Sequence, residues 1–309
     1  MEHAPLGAAG VCIADYWLHE QLPARATEVA YRATHRVLPR AARVAILKPE
    51  NVGVRHAEIQ LMREACVVET LHHPGVPRVY ECGVLDRRPW VATEQILGTS
   101  LEAVAARRPL STGDALAVVR DAAAILAHAH RRGVIHSDIT PRSILLTGER
   151  GFPVCIVDWG SAAIYGTALP RSGDPTSRFY HAPEVVGGDR GSAAADVFAL
   201  GAVMFEAATL VLPEPIKKFP GMPPALHQLL VRMLATAADD RPTADAVHAE
   251  AARLAELCND GDAAIEEVEV ELVDISGAQA GMHNLGWMPP ERVPRASQTM
   301  ATPRRRKNS

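Results

Sequence analysis

The sequence predicts an α+β fold in two unequal parts, and three observations carry that expectation. Strand-like runs fill most of the first hundred residues, with one helical stretch among them. From Thr112 onward, apolar residues recur at helical spacing. Near Asn259 the composition turns polar and charged, with no visible core of its own.

In the first part, Tyr16–Leu22, Glu28–Thr34 and Arg43–Leu47 read as strands separated by turn residues. Ala57–Leu71 reads as a helix, with Ile59, Met62, Cys66 and Leu71 as its apolar stripe, stopped by His73-Pro74-Gly75. Val76–Tyr80 and Trp90–Glu94 read as two further strands, and Asp86-Arg87-Arg88-Pro89 as the turn of a hairpin.

The second part opens with Thr112 as a helix N-cap. Asp114 in the first turn and Arg131-Arg132 in the last suit the helix dipole, and Gly133 stands where a C-cap glycine belongs. Ala193–Leu210, Pro224–Ala235 and Ala244–Leu257 follow as helices. Asp260–Asp274 is acidic and Arg304–Lys307 basic. Val268–Val273 alternates, which suits either a solvated linker or a strand added to a sheet edge.

Bulk properties exclude several classes. Of 309 residues, 48% are hydrophobic, enough to bury a sizeable core, and the net charge of −4 gives no reason to expect nucleic-acid binding. Five scattered cysteines without a C-x-x-C fit a reducing, cytoplasmic setting, and metal-ligand spacing is absent. The N-terminus lacks the pattern of a secretory signal. Val197–Leu212, the most apolar run, is shorter than a span of ~20 residues and contains Glu206, so it reads as a buried helix and no membrane span is expected.

The chemistry sits in His136-Ser137-Asp138-Ile139-Thr140-Pro141-Arg142-Ser143, followed by Asp158-Trp159-Gly160. The pair resembles the catalytic loop and metal-binding turn of protein kinases, His-Arg-Asp, four residues, Asn, then Asp-Phe-Gly. Other motifs of that family follow in order: Glu64 before Leu71-His72-His73-Pro74, Thr93–Gly98, Ala182-Pro183-Glu184, Asp196–Gly201 and Arg241-Pro242. The resemblance covers about Ala14 to Leu257, and Ser177 falls where Ser/Thr-specific members carry a threonine. It implies a bilobal protein-kinase-like fold. Residues 1–13 would be an extension, 14–258 the kinase-like domain (N-lobe 14–93, hinge 94–98, C-lobe 99–258) and 259–309 a tail.

The resemblance also assigns roles. Asp138 would orient the acceptor hydroxyl, and Thr140 stands where the family has a lysine near the γ-phosphate. Asp158 and Ser143 would be the metal ligands, with Ser143 in place of the asparagine. Ala45 would lie over the nucleotide, backbone groups of Glu94 and Ile96 would meet adenine, and Thr93 would be the gatekeeper. Glu64 is the ion-pair carboxylate of the helix, and Lys48 the candidate for its lysine. On an alternating strand, however, Leu47 shares the face of Ala45; either a bulge re-aims Lys48 or the lysine is lost.

The glycine-rich loop is missing. Its glycine positions fall on Pro23, Arg25 and Glu28, so one has no N–H and another sets a carboxylate near phosphate, which Arg25 would offset. Three functions follow: a pseudokinase or weak kinase acting as a regulatory or binding module; an active Ser/Thr protein kinase; and a scaffold working through its tail. ATP with Mg²⁺ or Mn²⁺ is the expected cofactor if nucleotide binding is retained, otherwise none. The expected partner is a protein substrate or signalling protein, and the oligomeric state is left open.

Overall fold

The computed structural model describes residues 11–24, 27–148, 150–164, 175–212 and 222–259. Arg25 and the tail segments from Asp260 onward, including Val268–Val273 and Arg304–Lys307, lie outside them.

Among the described residues the upper lobe comprises β1 (Cys12–Ile13), β2 (Tyr16–Leu22), β3 (Glu28–His35), β4 (Ala41–Leu47), α1 (Arg55–Leu71), β5 (Val79–Leu85) and β6 (Arg88–Glu94). Its strands form one antiparallel sheet in the order β1-β2-β3-β4-β6-β5. The lower lobe begins with β7 (Thr99–Ser100), α2 (Leu101–Ala105) and α3 (Thr112–Arg131). After it come β8 (Val134–Ile135), β9 (Ile144–Leu146), β10 (Val154–Ile156) and β11 (Ala163–Ile164). Helices α4 (Pro183–Val186), α5 (Ala193–Thr209), α6 (Pro224–Met233) and α7 (Ala244–Asn259) complete it. The short strands pair as β10-β9-β7 and β11-β8. This is the protein kinase fold. No described helix is long and apolar enough to cross a membrane.

Alternation along β4 divides the upper lobe. Ala42, Val44 and Ile46 bury against Tyr16, Tyr31 and Trp90 on the outer face. Ala45 and Leu47 bury on the other face, with Ala57, Leu61 and Ala65 of α1. The buried face of α1 is only partly the stripe the spacing suggests: Leu71 is buried and Met62 packs against this layer, while Ile59 is 44% exposed and Cys66 is also exposed. Alanines let the helix approach the sheet closely, and a count of large apolar residues overlooks them.

Most local signals match their elements. Asp86 and Arg87, both left-handed at φ +48° and +64°, make the two-residue β5–β6 turn that a hairpin's twist demands. Strand β5 runs from Val79 to Leu85, later than the run suggested by the sequence. Helix α3 is capped one residue before Thr112: Ser111 Oγ accepts the Asp114 N–H, because a serine hydroxyl reaches N3 only from outside the helix. Gly133, at φ +73°, ends it. Gly98 passes so close to β9 that a Cβ there would stand 2.7 Å from the Leu146 carbonyl oxygen, which excludes any side chain at the lobe junction.

The lower lobe is locked by Arg241. Its side chain has no exposed surface and holds Glu184 by two hydrogen bonds of 2.7 and 2.8 Å. It also donates to the carbonyls of Ala194, Ala235 and Thr236 and stacks over Phe198 at 4.9 Å. Burial works against ionisation of Glu184, and Arg241 overcomes it, holding the carboxyl below its ordinary value. Replacing Glu184 by Ala leaves this guanidinium without its anion and is expected to cost about 3 kcal/mol, as truncated buried pairs do, read by denaturant unfolding.

At the foot of α1, His73 accepts the Gly75 N–H on Nδ1 and stacks beside His128. Burial, with His128 and nearby arginines, lowers its pKa from 6.5 to about 4. Between those values the unfolded chain takes up a proton that the folded chain refuses, so stability falls as the solution is acidified. His73→Asn keeps the acceptor and is expected to flatten this part of the fall in Tm between pH 6.5 and 4, measured by thermal melts.

Candidate functional site

The loop between β8 and β9 is shaped by one carboxylate. Asp196, 1% exposed at the start of α5, accepts the backbone N–H groups of His136 (2.8 Å, on Oδ2) and Ser137 (2.9 Å, on Oδ1). The His130 ring lies 2.9 Å from the same Oδ2. These bonds hold Ser137 in the left-handed region at φ +67°, which a non-glycine residue adopts only at a cost.

His136 is fully buried, with Nε2 3.0 Å from the Val157 carbonyl oxygen. A carbonyl only accepts, so Nε2 carries the proton and Nδ1 is left to accept the Asp138 N–H at 3.3 Å. Trp159 packs edge-on against His136 at 4.6 Å and anchors its own ring by an Nε1–H bond to Ile156. The two motifs read from the sequence are thus one packed unit.

Asp138 is three-quarters covered, with Oδ1 3.6 Å from His181 Nε2. Burial pushes its pKa up, but His181, His136 and Ser177 together outweigh it and hold the carboxyl below its ordinary value. Asp158 is exposed and left-handed, at φ +65°.

Ser143 is 1% exposed, and its hydroxyl is engaged within the loop. It donates to the Thr140 carbonyl and accepts the Thr140 N–H, both at 3.0 Å. The expected ligand pair is therefore not assembled: Asp158 is available, while Ser143 serves as the loop's own brace. Thr140 enters these bonds through its backbone.

The roof of the cleft differs most from expectation. Pairing of β4 with β3 and with β6 is unbroken, so no bulge re-aims Lys48. Lys48 lies past the strand end, starting the turn Pro49–Asn51, and is not among the cleft-lining residues. Arg43, on the same face as Ala45 and Leu47, lines the cleft instead, with Glu64, Glu94, Ile96 and Asp158. Its guanidinium meets Glu28, 2% exposed, at 3.1 Å. The Ala30–Ala45 rung lies between the two residues along the sheet, and its small side chains leave room for this pair.

At the lobe junction Arg150 bonds to Glu94 (2.7 Å) and to the Val76 carbonyl (3.1 Å). Sequence reasoning missed Arg43, Arg150, His181 and the role of Asp196. Strand alternation could have revealed Arg43; the others are brought in from distant segments.

The remaining cavity is about 140 Å³, against roughly 300–1,000 Å³ for small-molecule sites. In this cleft Arg43 is held by the buried Glu28, and the Ser143 hydroxyl is engaged by the loop's own backbone.

A two-lobed fold with this loop, turn and hinge around a cleft is that of a protein kinase. The family model described as "Protein kinase domain" matches residues 29–260, and the chain belongs to that family. It is 31% identical over 206 residues to the serine/threonine-protein kinase PknJ of Mycobacterium tuberculosis, covering 65% of this chain and 35% of PknJ. It is 28% identical over 186 residues to PrkC of Bacillus subtilis, covering 59% of this chain and 28% of PrkC. The chain thus spans about a third of these relatives' length. The crystal structure of the Mycobacterium tuberculosis PknI kinase domain, a double mutant, aligns with a TM-score of 0.62 at 27% identity, covering 81% of this chain and 99% of that one.

Replacing Asp196 by Ala strands two buried N–H groups at about 1–3 kcal/mol each. A loss of about 3 kcal/mol is expected in denaturant unfolding, with greater hydrogen exchange at His136 and Ser137.

Proposed function

We propose that this chain is a pseudokinase of Ser/Thr kinase ancestry, a regulatory or binding module that engages a protein partner without turning over ATP. The observation that carries the reading is the Arg43–Glu28 pair in the roof of the cleft. A bound triphosphate would compete with the buried Glu28 carboxylate for Arg43, the member of the pair that lines the cleft. Turning Arg43 to the phosphates instead would leave that carboxylate without this partner. The strand supplies no compensating lysine, since its cleft face carries Arg43, Ala45 and Leu47.

The competing reading, a weak Ser/Thr kinase, is favoured by the ionised Asp138, the exposed Asp158 and the intact Glu184–Arg241 pair. A thermal-shift titration separates the two. A Kd near 1 µM would add about 4 kcal/mol of stability at about 1 mM ligand. No shift is expected with ATP and Mg²⁺ or Mn²⁺. A shift of that size, with phosphate transfer abolished by Asp138→Asn, would establish the kinase instead.

A further inference from the structure

We propose that His181 is a positioning residue whose ring N–H ties up Oδ1 of Asp138 on the acceptor side of the cleft. This rests on the pseudokinase reading and deepens it, since on the nucleotide side Arg43 is held by an independent pair.

The first observation is burial. Asp138 Oδ1, His181 Nε2 and Ser177 Oγ are all inaccessible to solvent, and none has a conventional hydrogen-bond partner among the described residues. Three orphaned polar atoms near one carboxylate would be costly if unrelated. Two of them, Oδ1 and Nε2, become satisfied together if His181 donates to Oδ1, either by closing its 3.6 Å gap to the usual ~2.9 Å or through one bridging water. Ser177, which helps keep the carboxylate ionised, lies on the same approach.

The second observation is which histidine has a ring N–H to give. His136 also faces Asp138, but its Nε2 proton goes to Val157 and its Nδ1 lone pair accepts the Asp138 N–H, so it has no ring N–H left for the carboxylate. Asp196 is engaged by backbone N–H groups and His130 on the far side of the loop. His181 is left as the ring donor for Asp138.

The third observation is that His181 has little freedom to leave. Its N–H bonds the Arg178 carbonyl at 3.3 Å, and three residues on Glu184 is clamped by Arg241. Because Oδ1 is buried while the Asp138 side chain keeps 23% exposure, the accessible part of the carboxylate is Oδ2. An entering hydroxyl meets a carboxylate one of whose oxygens is already engaged.

The test is carboxyl NMR of the full chain labelled with ¹³C-aspartate, with the Asp138 signal assigned by Asp138→Asn. In the wild type Asp138 stays ionised down to the acid limit of the fold. In His181→Met burial acts with less opposition, and the Asp138 midpoint is expected to rise by about one pH unit or more, a tenfold change in ionisation. His181→Phe, which also lacks a donor, moves it the same way and serves if the Met variant does not fold; His181→Gln, which keeps a donor, restores part of the low value. An unmoved midpoint in the Met and Phe variants overturns the proposal. No nucleotide enters this measurement, so ATP-dependent phosphate transfer would overturn the pseudokinase reading and leave the His181 contact standing, and an unmoved midpoint would do the reverse.

Discussion

Asp196 is the constraint on which the site depends. A buried carboxylate normally raises the energy of a core, and this one is satisfied by partners that converge on it from α3 and from the loop after β8. In accepting both loop N–H groups it holds Ser137 in a left-handed conformation and sets where Asp138 emerges. His136 then ties that loop to Val157, and Trp159 packs on the same ring. The buried start of α5 thus fixes two acidic residues that are otherwise unconnected.

The two lobes treat charge differently. Below the cleft, Asp196 and the Arg241–Glu184 pair are enclosed and multiply bonded, in the manner of structural charges. Above it, Arg43 and Glu28 neutralise each other on the face toward the cleft, in a lobe whose inner layer is built on Ala30, Ala45, Ala57 and Ala65. Such small residues let α1 settle close to the sheet, and the cavity that remains is correspondingly small.

Much of this was legible in the chain. Strands β2, β3 and β4, helix α1 and the later helices followed from period and turn residues, and the order of motifs pointed to the family. The face of α1 was misjudged because alanine carries little hydrophobic signal alone, yet suits a close helix–sheet contact. Lys48 was ambiguous because one inserted residue would reverse its direction, and the unbroken register decides that no such insertion occurs.

By itself the sequence determined the family, the lobe order and the positions of Asp138 and Asp158, because these depend on local period and spacing. Tertiary structure alone decided what those groups meet. Ser143 turned inward to Thr140, Arg43 found Glu28 across a sheet, and His181 came to Asp138 from 43 positions along the chain. Such contacts depend on packing between distant segments, and so the same two aspartates that place the chain among kinases do not by themselves make it one that transfers phosphate.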